Sequence, residues 1–419
     1  MSRLRDHAAL LVALGSVVGW YAALAVVNPV RIADERIHFG LVEEILQGEA
    51  LSTNLIPMLP AYHYAIAGAT WLLGGSLNAA RAVNAAVALV GVLLLHACTA
   101  GRPAGQRGMQ ALLYAWNPIL LPLCAMVYTE GAATVAIVGA VLAALRGRHG
   151  WAALALAVAC VVRQSNILWA AFFVGWRMLD GAGVGEGGRL RDLLTLDVRS
   201  AAQAARSAWP YGLVVAGAAV FFAIIGGVTV GPAHDNRPRF NPAQFYLFAS
   251  VVVVLWAPLL ARELVRHWPA ILVRLRWGGI CAGFIAAAGT LEMLYVNPHP
   301  WNGDPAYLRN RLLVALHTSL PLRAGAATVF AAAGPLLLWV TRAQPQRALL
   351  ALVWASGALF LLPHWLAEMR YYIVPIALLH LFANYRTRIG WTLVAWQGAL
   401  SAAICTFIAL YGTPHGGLW

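Results

Sequence analysis

The chain has 419 residues, of which 61% are hydrophobic and only 11% charged, and its mean hydropathy is +0.70. So few polar groups do not cover a soluble globule of this size, which excludes a water-soluble domain. The net charge of +13 is carried by arginine alone, and in so apolar a chain it reads as a topology signal rather than as affinity for nucleic acid.

Apolar runs recur along the whole length and lack the alternation of barrel strands, so the expected fold is an all-α polytopic membrane bundle. Candidate spans fall at 7–28, 82–99, 109–126, 131–145, 150–163, 165–178, 209–229, 243–261, 277–296, 320–341, 347–363, 371–384 and 390–411. The spacing predicts roughly 11–14 helices in one domain over 1–419. The first extracytoplasmic loop is expected at 29–81, with an interfacial or re-entrant piece at 62–75, and a cytoplasmic loop with a surface helix at 177–208. The basic N-terminus leads into a run too long for a signal-peptide core, which reads as a retained first span. The five Cys lie scattered in apolar runs without metal spacing and read as small core residues.

An N-terminus placed in the cytoplasm puts about nineteen of the 29 basic residues on that side, in agreement with the positive-inside rule. The same alternation sorts six polar clusters to the outer face. These are Asp34-Glu35, Tyr128-Thr129-Glu130, Arg163-Gln164-Ser165-Asn166, and the loops GPAHDNRPRFNPAQFY, NPHPWNGDPAYLRNR and HWLAEMRYY. Ionisable groups at membrane depth are expensive and mark function.

Asp34 and Glu35 follow the first span. Neighbours on a helix point about 100° apart, so the two carboxylates should not do the same work. His38 is one turn on from Asp34 and within reach of it or of a bound sugar. Arg163 and Arg370 lie at outer span ends, where a guanidinium suits a phosphate. Each also has a nearby acid, Glu130 and Glu368 respectively, with which it would pair. Gln164, Asn166, Gln244 and Asn302 would bind sugar hydroxyls or bridge helices. Three outer histidines, His234, His299 and His364, lack zinc-ligand spacing. No cofactor motif is present. A divalent cation held by Asp34 with Asp235 or Asp304 is the one metal arrangement the outer acids offer.

These blocks together resemble a family. DERIHF is similar to the Asp-Glu-x-x-His motif of the dolichyl-phosphate-glucose α-1,2-glucosyltransferases, and VYTEGAATVAI and VVRQSNILWAAF are similar to two further blocks. HDNRPRFNPAQFYLF, HPWNGDPAYLRNR and LAEMRYYIVP resemble three more, so the likeness runs from about residue 34 to 375. It departs at Gly231-Pro232, where the family has Gly-Asp, and in the stretch ALSTNLIPMLP. The resemblance implies a class C glycosyltransferase fold, a polyprenyl-phosphate sugar donor and inversion at the anomeric carbon. The acceptor would be a hydroxyl of a lipid-linked or other extracytoplasmic glycan, and membrane lipid, not nucleic acid, would surround the chain.

With the polar clusters, the resemblance makes Asp34 the base, assisted by Glu35. It gives substrate contacts to His38, Tyr128, Glu130, Arg163, Gln164, Asn166, His234, Gln244, Tyr246, His299, Asp304, Arg309, Glu368, Arg370 and Tyr371. The rival function is a flippase for lipid-linked sugars, which would use the same basic cavity without a base. The Arg-only, Ala- and Gly-rich usage suggests a bacterial inner membrane with a periplasmic site; in a eukaryote the site would be lumenal in the endoplasmic reticulum.

Overall fold

A computed structural model describes residues 2–51, 58–103, 105–183, 188, 198–228, 239–273, 278–304 and 308–412. His234, Asp235 and the side chain of Arg309 lie outside the described residues. Helices account for all regular structure among the described residues. In chain order they are α1 (Ser2–Val27), α2 (Glu35–Gln47), α3 (Ala61–Trp71), α4 (Leu77–Cys98), α5 (Gln106–Ala115), α6 (Leu120–Cys124), α7 (Thr129–Leu145), α8 (His149–Val162) and α9 (Ala170–Gly181). The second half adds α10 (Val198–Ser207), α11 (Trp209–Ile225), α12 (Pro242–Val273), α13 (Gly278–Met293), α14 (Leu308–Thr318), α15 (Leu320–Arg342), α16 (Arg347–Leu361), α17 (Ile373–Phe382) and α18 (Thr387–Tyr411).

Among the described residues, five helices are long and apolar enough to cross a bilayer, and several shorter apolar helices of 10–17 residues accompany them. The molecule is a multi-pass membrane protein. In lipid each backbone amide must be satisfied within its own segment, which is why the apolar runs fold as helices. Local chemistry sets their ends. Ser76 caps α4 by accepting from the Ala79 N–H at 3.2 Å, and Gly48, with φ 71°, ends α2 in the left-handed region that glycine tolerates.

Three expected spans are interrupted. The run 109–126 divides into α5 and α6 at Asn117-Pro118, because proline has no N–H to continue the ladder. The Asn117 side chain restarts the helix by accepting from the Ile119 N–H at 2.9 Å. The run 165–178 opens with a 3-10 turn, Gln164–Trp169, before α9 begins. Likewise Met369–Tyr372 forms a 3-10 turn ahead of α17.

α7 packs between α4 and α8, α1 lies against α4 and α5, and α12 contacts α15 and α18. Gly108 permits the close α1–α5 approach: a Cβ there would lie 2.6 Å from the Ala9 Cβ. Asp6 anchors the same contact by accepting from the Gly105 and Gly108 amides at 2.9 and 3.0 Å. Trp169, Phe172, Phe173, Trp176 and Phe382 form a run of edge and tilted ring contacts beneath the polar end of the bundle.

Candidate functional site

The site forms where three helical stretches begin. Tyr128, Arg163 and Glu368 are the residues before α7, before the Gln164–Trp169 turn and before the Met369–Tyr372 turn, and all three have extended backbone. Irregular backbone at this depth survives only where protein or a polar cavity satisfies it. Each break therefore points its side chains at a shared interior.

Asp34 sits just ahead of α2, a position where aspartate usually caps a helix. Here its side chain makes no capping bond; Oδ2 instead receives Arg370 Nη1 at 2.8 Å. Its backbone N–H donates to the Tyr128 hydroxyl at 3.0 Å. The preceding residue, Ala33, has φ +49°, the single positive φ on a non-glycine among the described residues. Such a conformation costs on the order of 1–2 kcal/mol and clusters at functional sites.

Arg370 gathers three carboxylates. It pairs with Glu368, with Asp34, and with Glu130 Oε1 at 3.3 Å. Arg163 pairs with Glu130 and donates to Thr129 Oγ1 at 3.2 Å. The ion pairs Arg163–Glu130 and Arg370–Glu368 are those that the sequence allowed. Side-chain exposure separates the acids: 28% for Asp34 against 4% for Glu130 and 3% for Glu368. Asp34 is thus the carboxylate that an incoming molecule reaches. Arg163, with 14% exposure, is more open than Arg370 at 9%. Arg370, expected to hold a leaving phosphate, is ion-paired with three carboxylates and holds Asp34 in place.

Glu35 does not share Asp34's surroundings. It is fully buried, and its Oε1 and Oε2 receive Arg81 Nε at 2.9 Å and Nη2 at 2.6 Å. The Val127 and Ile32 amides donate to it as well, each at 3.1 Å. Arg81 in turn donates to the carbonyls of Asn28 at 2.8 Å and Val30 at 2.7 Å. The expectation that Glu35 assists the base does not fit this geometry; it ties the start of α2 to α4 and to the turn before α7. Sequence reasoning passed over Arg81, although a guanidinium opening an apolar helix calls for a buried partner.

His38 is 3% exposed and its Nδ1 lies 2.9 Å from His63 Nε2, with the two rings stacked. Burial holds the His38 imidazole down at about 4, while Glu130 and Asp34 pull upward and Arg370 and Arg163 push down. Burial, with His38 adding to it, takes His63 to about 2. Both rings are neutral at neutral pH, so one donates and the other accepts. His38 also packs against Tyr128, with centroids 5.5 Å apart. It therefore supports the Asp34 turn from below and does not face open space. His63 was missed in the sequence because it falls in the stretch read as interfacial.

The remaining candidates divide. Arg163, Gln164, His364, Trp365 and Tyr371 line a cleft of about 250 Å³. His364 Nδ1–H donates to the Phe360 carbonyl at 2.6 Å, its ring lies 4.4 Å from that of Tyr371, and Arg163 stands 5.4 Å over the same tyrosine. Gln244, by contrast, is fully buried and donates to the His364 and Leu366 carbonyls, while the Tyr372 hydroxyl donates to its Oε1 at 2.8 Å. It braces the 364–372 strip from behind. Asn166 donates to the Ala159 carbonyl at 3.0 Å, and Tyr246 to the Ala288 carbonyl at 3.4 Å. These three bridge backbone and do not line the cleft. His299 packs on Trp365 at 4.8 Å, and its Nδ1 accepts from the Trp301 amide. Asp304 ends the short turn Pro300–Gly303, and its carbonyl accepts from Asn310. Asn302 then accepts from the Ala367 amide at 3.2 Å, so the Pro300–Gly303 turn also braces the strip. Among the described residues, no three His, Cys, Asp or Glu side chains group as metal ligands.

Gln164 and Phe222 border both the cleft and a second hollow. That hollow, about 570 Å³, runs between α8 and α11 and is walled by Ala153, Leu154, Leu213, Ala218 and Phe221. Fold and site together define a multi-pass membrane protein in which a partly exposed carboxylate is linked through ion pairs to Arg163, and Arg163 lines a largely apolar cleft that borders a second apolar hollow. The chain belongs to the DIE2/ALG10 family, whose family model matches residues 56–301, more than half of its length. This is a family of dolichyl-phosphate-glucose α-1,2-glucosyltransferases, acting in lipid-linked oligosaccharide biosynthesis. The matched span includes Glu130 and Arg163 and begins after Asp34. Comparison with curated proteins and with solved structures gives no match.

Proposed function

We propose that the protein transfers a hexose, glucose as in its family, from a polyprenyl-phosphate sugar to a hydroxyl of a lipid-linked or other extracytoplasmic glycan, with inversion. One observation carries this reading. Asp34 is a partly exposed carboxylate clamped by Arg370, which is joined through Glu130 to the cleft residue Arg163. The acceptor hydroxyl gives its proton to Asp34 as its oxygen bonds to the anomeric carbon. The bond from that carbon to the phosphate oxygen breaks on the opposite face, and its electron pair stays with the phosphate.

The charge balance suits this step. Asp34, Glu130 and Glu368 with Arg163 and Arg370 sum to one negative charge. Protonation of Asp34 brings the cluster to neutral as the leaving phosphate gains charge beside Arg163. The groove between α8 and α11 receives the isoprenoid tail, so the sugar reaches the cleft from the side. The arginine distribution supports an extracytoplasmic cleft, which would be periplasmic in a bacterial inner membrane.

The test is Asp34→Asn in purified protein with polyprenyl-phosphate glucose in detergent. A general base contributes about 10²–10⁴-fold, so transfer should fall by that factor while donor still binds. Transfer at near wild-type rate removes Asp34 as the base. Wild-type protein that leaves donor chemically unchanged in micelles, where there is no bilayer to cross, would instead point to a flippase.

A further inference from the structure

The bundle end opposite Asp34 carries a second concentration of charge. Arg262 and Arg266 stand four residues apart on α12 and share one helix face. Arg386, immediately before α18, joins them around a concavity of about 640 Å³ that Ala261 and Val265 complete. None of the three arginines has an ion-pair partner among the described residues. The adjacent acid, Glu263, is engaged by His267 Nε2 at 3.1 Å.

Depth is set by α12 itself. It starts at Pro242, beside Asn241, whose side chain donates to the carbonyl of the cleft residue Trp365 at 2.6 Å. From there to Arg262 the helix rises ~30 Å, the thickness of a bilayer's hydrocarbon core. The three arginines therefore stand at the headgroup level of the far leaflet. Val265, 81% exposed, offers apolar surface at the same height.

We infer that this concavity binds the phosphate headgroup of an anionic phospholipid in the leaflet opposite the Asp34 site. Guanidinium forks match phosphate oxygens, and three cations without acids disfavour the ammonium of a zwitterionic headgroup. The apolar wall takes the first carbons of the acyl chains, which free phosphate lacks. The inference is independent of the glycosyl-transfer reading.

Native mass spectrometry of the full chain in detergent, with phosphatidylglycerol, phosphatidylcholine and soluble glycerol phosphate as probes, tests it. Phosphatidylglycerol should be retained at least tenfold better than phosphatidylcholine and should resist an equal concentration of glycerol phosphate. Combined Arg262→Gln, Arg266→Gln and Arg386→Gln should lower that retention at least tenfold. Arg146→Gln with Arg148→Gln, at the same bundle end, should leave it unchanged. Each single substitution, which touches no buried contact, should give a partial loss, so the result does not hinge on the triple variant folding. Equal retention of phosphatidylcholine, displacement by glycerol phosphate, or indifference to the substitutions at 262, 266 and 386 would overturn the assignment.

Discussion

Glu35→Gln should unfold the outer loop rather than disable the chemistry. The substitution leaves the Arg81 guanidinium, 0% exposed, without a counter-charge, facing the Asn28 and Val30 carbonyls and a single amide oxygen. Breaking a buried ion pair by removing one partner costs ~3–5 kcal/mol, a large share of a net stability of about 5–15 kcal/mol. The double variant Glu35→Gln with Arg81→Met removes the uncompensated cation. Its amide oxygen replaces only one of the two carboxylate oxygens that the Ile32 and Val127 N–H groups use, so it should recover part, not all, of the stability lost in the single variant. Denaturant unfolding in detergent, followed by fluorescence of the chain's 17 Trp, measures both variants. The double variant should also regain transfer lost in the single one. If Glu35→Gln unfolds like wild type yet transfers nothing, the carboxylate is acting on substrate and the structural assignment fails.

Acid should weaken the fold through His38. Its folded value of about 4 lies below the ordinary 6.5, so the unfolded chain binds the extra proton. Stability is then complete above pH 6.5 and declines by up to ~3 kcal/mol as pH falls toward 4. His38→Gln should make that decline shallower in an unfolding series across this window, with the His63 contribution remaining; an unchanged slope refutes it. Ala33→Val places a β-branched residue at φ +49° and should cost ~1–2 kcal/mol. It should also slow transfer by displacing Asp34, which a stability measurement paired with initial rates would reveal; wild-type rates would show that the turn is not needed.

The helical bundle was legible because hydropathy runs carry it, and failures fell where short-range chemistry intervened. Asn117-Pro118 split one run, and the breaks before Gln164 and Met369 shortened two others. Arg163 with Glu130 and Arg370 with Glu368 were visible as neighbours or as ends of adjacent spans. Glu35 and Arg81 were not, since 46 positions separate them and nothing local marks the pair. Polar residues such as Gln244 and Asn166 look alike in sequence whether they meet a sugar or a carbonyl. Their backbone partners distinguish them: the 364–372 strip for Gln244 and the Ala159 carbonyl for Asn166.

The three chain breaks have one more effect. α7 and the helical stretches starting at Gln164 and Met369 all direct their amino ends toward the carboxylate cluster. Each aligned column of peptide dipoles ends in roughly half a positive charge at that terminus, fading within a turn. The excess negative charge is thereby countered by immobile main-chain polarity, which needs no reorientation when the departing anion forms.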